Sequence, residues 1–200
     1  MRERAPLRRV WRYVGYDEAN YTYTAQGREL LDKLGAMDDA PYFIRCHFLL
    51  CSGDGEGSAK WGSTNVYAED DEGRPIYDFV LVDRILDSIV ESGCIPFVEL
   101  GFMPEDLSSA PPGTPYGGEH GEGWRYPPYD YGRWMALMET LAAHCRDRYG
   151  LREVSRWYWE LWNEPDIFYW AGTVEAYCRL YDFTVAGLHR VLPQAKVGGP

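Results

Sequence analysis

The sequence has no apolar run of the roughly 18 residues needed to cross a bilayer. It has no C-x-x-C pair, and its four histidines complete no zinc-type spacing with the five cysteines. Cys46, Cys51, Cys94, Cys145 and Cys178 are therefore read as mostly buried thiols of a reducing compartment, and neither metal nor cofactor is expected. Basic charge is scarce. Against 31 Asp and Glu stand 20 Lys and Arg, and the net charge of −11 makes nucleic acid and anionic membranes poor partners. The opening "MRERAPLRRVWRYVGYD" has arginines but no apolar stretch after them, so no signal peptide is read. Glu3 and the tyrosines that follow argue against a transit peptide, and a cytoplasmic location is the expectation. "SGDGEGS" (52–58) lacks the Lys–Ser/Thr of a phosphate loop and the spacing of a dinucleotide loop, and it matches no EF-hand. A flexible loop is expected there.

Aromatic residues are what the chain has in excess. Eight Trp and sixteen Tyr, in a sequence that is 46% hydrophobic, fill a core and leave rings that suit the faces of sugars. Two hundred residues suit a single domain, 1–200, with no second one. Along it, strand-like and helix-like stretches alternate. Strands are expected at 11–16, 42–50, 94–100 and 157–162, with another opening at 195–200. Helices are expected at 27–37, 78–93, 130–150 and 173–192. The second carries the stripe Phe79, Val82, Ile85, Leu86, Ile89 and Val90, with Asp78 as N-cap and Gly93 as stop. The third is striped by Trp134, Leu137, Met138, Leu141 and Cys145, the fourth by Tyr177, Leu180, Tyr181, Val185 and Leu188. Long loops, 51–75 and 101–128, follow strand C-termini.

Four βα units and the start of a fifth imply parallel strands with helical crossovers. A doubly wound sheet and a (β/α)₈ barrel both fit. The placement of the long loops favours the barrel, which builds its site at strand C-termini. A full barrel takes about 250 residues, so this length supplies about half.

The fourth strand ends unusually. "WYWELWNEP" (157–165) runs from large apolar residues into Asn163, Glu164 and Pro165. By strand parity Glu164 shares a face with Glu160, roughly 13 Å deeper. That is too far for the second carboxylate of a glycosidase, whose pair stands about 5–9.5 Å apart. Glu160 is instead a buried anion in need of a cation. Arg45 in "FIRCHF" suits it, with His47 on the same face nearer the mouth. A structural ion pair and a site of fixed geometry both explain such a pair. Asn163 has the opposite parity to Glu164, so both reach one ligand only if the strand end twists or bulges. Glu99 is the other inward carboxylate, well below the mouth. Trp61 and Tyr67 are either subsite walls or loop packing.

The stretches "GRELLDKLG", "YFIRCHFLL", "YDFVLVDRILDSIVESGCIPFVELGFMPEDL", "WYWELWNEP" and "YCRLYDFTVAGLHRVLPQAKVGGP" span nearly the whole chain. Together they resemble glycoside hydrolase family 39, the β-xylosidase and α-L-iduronidase family, with "PFVELGFMP" and the Asn-Glu-Pro strand end the most specific. The resemblance implies a (β/α)₈ barrel that cleaves β-xylosides or related glycosides with retention, using two glutamates. It makes Glu164 the general acid/base and sets Asn163 against the sugar's 2-hydroxyl. His47 and Phe102 would line the sugar subsite, and Arg45 is counted with them and Asn163 as substrate-binding. The family's nucleophile is a second glutamate at the end of strand seven, which this sequence does not contain. The expectation is an N-terminal half of a catalytic barrel, inactive by itself. A carbohydrate-binding pseudoenzyme, a half barrel completed by a second chain, and self-association through open sheet edges are the alternatives.

Overall fold

The structure is a computed structural model that describes residues 9–37, 39–56, 61–117 and 121–199. The arginine-rich start, Gly57 and Ser58 of the glycine-rich loop, and Pro200 lie outside the described residues. In chain order the elements are β1 (Tyr13–Tyr16), α1 (Ala25–Gly35), β2 (Phe43–Cys46), β3 (Tyr67–Glu69), β4 (Pro75–Tyr77), α2 (Val80–Glu91) and β5 (Ile95–Leu100). After a long loop come α3 (Tyr131–Tyr149), the short α4 (Leu151–Val154), β6 (Tyr158–Leu161), α5 (Val174–Val191) and β7 (Lys196–Gly198).

Five strands form one sheet in the order β1-β2-β5-β6-β7, every neighbouring pair parallel. The order never reverses. A doubly wound sheet needs a reversal at its switch point, whereas a barrel adds each strand on the same side. The architecture is therefore that of a (β/α)₈ barrel, of which this sheet and the crossover helices α1, α2, α3 and α5 form about half.

The sheet has two different faces. On one, Ile44, Cys46, Val98, Leu100, Trp159 and Leu161 are buried and join a single core with the helix stripes. α2 contributes Val82, Ile85, Leu86 and Ile89, and α3 contributes Trp134, Leu137, Met138, Leu141 and Cys145. On the other face the alternate residues Phe43, Arg45, Phe97, Tyr158 and Glu160 are only half-buried. Tyr13, Phe43, Phe97 and Tyr158 pack there edge to face and face to face, with ring centroids 4.8–6.5 Å apart.

The helix ends follow from side-chain chemistry. Thr24, Asp130 and Thr173 accept backbone N–H groups at the starts of α1, α3 and α5. Asp78 serves α2 from one residue further out, accepting from Val80 N–H at 2.8 Å. Gly93, at φ +80°, turns the chain directly into β5.

Three expectations change. β2 stops at Cys46 rather than running to residue 50, because Phe48 adopts φ +59° and turns the chain over the rim. The 51–75 segment is not all loop: β3 and β4 form an antiparallel hairpin around Asp70, whose carboxylate accepts from the backbone of Glu72 and Arg74. Arg133 of α3 ties that hairpin down through Glu69 at 3.0 Å and the Gly73 carbonyl at 2.8 Å. The described part of the glycine-rich loop is pinned as well. Asn65 brackets Gly53 with two hydrogen bonds, and Ser63 and Asn20 hold Gly55. Finally, α5 buries Thr184 and Gly187 where its stripe meets α3, with Tyr177, Tyr181 and Val185 half-buried. Of the five thiols, four are buried and Cys178 is exposed.

Candidate active site

A cleft of about 470 Å³ opens at the C-terminal end of the sheet. Asp17 beyond β1, His47 and Phe48 beyond β2, and Asn163 and Glu164 beyond β6 line it. Trp61, Trp124, Phe168 and Tyr169 add aromatic walls from the loops. A barrel presents its site from these strand ends, so the location follows from the fold.

Glu164 reaches the cleft because the backbone kinks. Trp162 and Glu164 sit at φ +65° and +46°, a region non-glycine residues enter at a cost of about 1–3 kcal/mol each. Strand parity thus ends at Leu161. Trp162 turns into full burial against Phe102 and Trp170, Asn163 is buried, and Glu164 is exposed at the cleft. The twist that the opposite parities of Asn163 and Glu164 require takes this form.

Beneath them lies a fan of hydrogen bonds from one guanidinium. Arg45 Nε donates to Glu160, Nη1 to the Nε2 of His47, and Nη2 to Asn163 Oδ1 at 3.0 Å. Arginine only donates, so the Nε2 of His47 is an acceptor and the ring proton is on Nδ1. That N–H faces Asp17 Oδ1 at 3.7 Å. Burial, reinforced by the Arg45 charge, pushes the His47 imidazole down to about 4, so it is neutral at physiological pH. Asn163 is oriented by the same logic. Its Oδ1 is taken by Arg45, which turns Nδ2 toward Glu164 Oε2 at 3.4 Å. The site therefore presents two fixed N–H donors beside a solvent-accessible carboxylate.

Phe102 stands one layer back from the expected wall. It is fully buried and does not line the cleft; it backs Phe48, Trp124 and Tyr169, which do, at centroid distances of 5.1, 4.6 and 5.6 Å. Arg45 likewise acts through its neighbours. Trp61 is a wall residue, while Tyr67 lies elsewhere, bonded to Glu69. Two loops are fastened together at the rim. Arg125 donates to the Phe168 carbonyl at 3.1 Å, its own carbonyl accepts from Ala171 N–H at 2.9 Å, and Trp124 packs on Tyr169.

Sequence reasoning missed Asp17, although it immediately follows β1 and strand ends are where a barrel's site residues sit. Trp124, Phe168 and Tyr169 gave no signal, since their place depends on how two loops meet. Among the described residues no group of three His, Cys, Asp or Glu converges to hold a metal ion.

Known proteins resemble this chain in sequence and fold. The family model described as glycosyl hydrolases family 39 matches residues 1–200. A β-xylosidase of Caldicellulosiruptor saccharolyticus is 41% identical over 138 residues, covering 68% of this chain and 28% of the relative. A β-xylosidase of Geobacillus stearothermophilus is 35% identical over 183 residues, covering 86% of this chain and 33% of the relative. The crystal structure of a monomeric β-xylosidase from Caulobacter crescentus CB15 superposes with a TM-score of 0.76 at 28% identity, over 94% of this chain and 35% of that one. The chain thus spans about a third of the length of the curated relatives it matches. A singly wound parallel sheet, a kinked Asn-Glu-Pro strand end and a family match along the whole length agree: the chain belongs to glycosyl hydrolase family 39.

Proposed function

We propose that this chain carries the acid/base side of the active site of a retaining glycoside hydrolase acting on β-xylosides. The observation that carries the reading is Glu164, lifted by the kink to the mouth of an aromatic cleft and backed by a fixed Asn163. The names of its relatives supply the sugar. In this reading Glu164 protonates the glycosidic oxygen as the bond to the anomeric carbon breaks, and later takes a proton from the attacking water. Asn163 Nδ2 and the Nδ1–H of His47 hold sugar hydroxyls, and Trp61 and Trp124 cover the ring's apolar face.

Retention needs a nucleophilic carboxylate about 5–5.5 Å from the acid. Glu160 is engaged by Arg45 and Glu99 is sealed from solvent, so neither fits. We assign the nucleophile to the part of the enzyme that the relatives have and these 200 residues do not span. Turnover by the 200-residue chain is then expected to be absent, while sugar binding remains.

Two assays test this. Methyl β-xyloside titrated into the chain should change the fluorescence of Trp61 and Trp124, with affinity lost in Asn163→Ala and kept in Glu164→Gln. In the complete enzyme, Glu164→Gln should slow xylobiose cleavage by about 10²–10⁴-fold. Nitrophenyl β-xyloside should suffer less at the bond-breaking step, because nitrophenolate leaves without a proton. Equal losses for the two substrates would remove Glu164 from the acid role. Binding with no turnover in the complete enzyme would leave a sugar-binding protein instead.

A further inference from the structure

Glu99 is fully buried, and among the described residues neither of its carboxyl oxygens has a hydrogen-bond partner. It is the register partner of Glu160 on the adjacent strand, while Arg45 is the register partner of Phe97, two residues back. The Arg45–Glu160 bridge therefore runs from β2 to β6 across β5, the strand that carries Glu99. The guanidinium has given Nε to Glu160, Nη1 to His47 and Nη2 to Asn163. On the rim side Gly101 lies directly against it: a Cβ there would collide with Glu99 Oε1. An ionised carboxylate with no donor and no solvent is a costly species, and a neighbouring carboxylate at the same level makes it costlier.

We propose that Glu99 is a positioning residue of this site, held as the un-ionised acid beside Arg45 so that the guanidinium keeps Glu160, His47 and Asn163 in place. The groups around it are Arg45 and Cys46 on β2, Cys51 in the loop beyond β2, Glu160 on β6 and Asp17 beyond β1. Burial is the largest influence and, with Glu160 and Asp17 adding and Arg45 opposing, pushes the Glu99 carboxyl up to about 8. Above that pH an anion appears next to Arg45 and competes with its three partners. The Asn163 amide and the His47 ring then lose the donor that orients them. The site's geometry thus has an alkaline limit set by a residue that never touches the sugar.

The sign is fixed by linkage. A carboxyl that holds its proton more tightly when folded stabilises fully below its unfolded value of 4.5 and loses that contribution as pH rises through about 8. His47 acts in the opposite sense, but its window closes at 6.5. Between 6.5 and 8 only Glu99 contributes of the two.

The experiment follows the His47 ring nitrogens of the chain by NMR and its thermal midpoint across that window. Expected are a His47 shift change with a midpoint near 8 and a fall in Tm of roughly 4–8 °C, both absent in Glu99→Gln. Infrared spectra of the wild-type chain supply a readout that needs no variant: the carbonyl stretch of an un-ionised carboxylic acid, present at neutral pH and lost above pH 8. A His47 response that persists in Glu99→Gln overturns the proposal, as does a wild-type spectrum with no un-ionised acid at neutral pH. None of these measurements needs a sugar, so their outcome is independent of the hydrolytic reading, which the binding and turnover assays decide.

Discussion

At the scale of single residues, the site is governed by how Arg45 spreads its guanidinium N–H groups over Glu160, His47 and Asn163. His47 shows the consequence in its titration. Its folded value near 4 lies below the ordinary 6.5, so the unfolded chain takes up the proton first as pH falls. The His47 contribution is therefore whole above 6.5 and declines toward 4, by on the order of 1–3 kcal/mol for a half-buried ring on the cleft wall. Urea denaturation at pH 6.5 and pH 4.5 should show that decline in a Glu99→Gln background, where the opposing Glu99 contribution is gone, and adding His47→Asn should flatten it. The spacing Arg45-x-His47 and its pairing with Glu160 were legible, because parity along a strand is rigid. Phe102 was misplaced because parity says nothing once the strand has ended. Two residues past Leu100 it turned inward under the rings that it was expected to join.

Among elements, the seam between α3 and α5 is the most extensive helix–helix contact among the described residues. A Cβ at Gly187 would stand 2.6 Å from the Met135 carbonyl, which belongs to helix backbone and has little freedom to retreat. Beside it the Trp134 Nε1–H donates to Thr184 Oγ1 at 2.7 Å, which explains a polar residue in a buried seam. Gly187→Ala should cost about 1–3 kcal/mol in chemical denaturation with little change in sugar affinity. Ala186→Ser, on the exposed side of the same helix, should cost far less. The long helices could be read from the sequence because a 3.6-residue stripe repeats over many turns. The β3–β4 hairpin could not. Each strand has three residues, too few for a period to register, and its anchor, Arg133, is about 60 positions away.

For the whole molecule, the order of strands matters more than any one of them. β1 and β7 each have a single neighbour among the described residues, so the sheet offers two unpaired edges and a half-buried aromatic face. Tyr13, half exposed, sits at the β1 edge over that face. Edges and apolar faces of this kind recruit other chains. The 200-residue chain should sediment as a concentration-dependent mixture, and Tyr13→Lys should shift it toward monomer. A sedimentation coefficient that does not vary with concentration would count against open-edge association. The βα alternation was legible because loops and strands are placed by composition. Which strands neighbour which is a property of the closed circuit, and only the strand order settles it.

The fastening between residues 123–125 and 168–171 sets a rule for anyone redesigning this cleft. Two segments that arrive from different strands share their hydrogen bonds and their ring contacts, so they form one inheritable cassette. Swapping either alone into another scaffold would leave Phe168 and Tyr169 without their mooring. Moving both together would carry the cleft's aromatic wall intact.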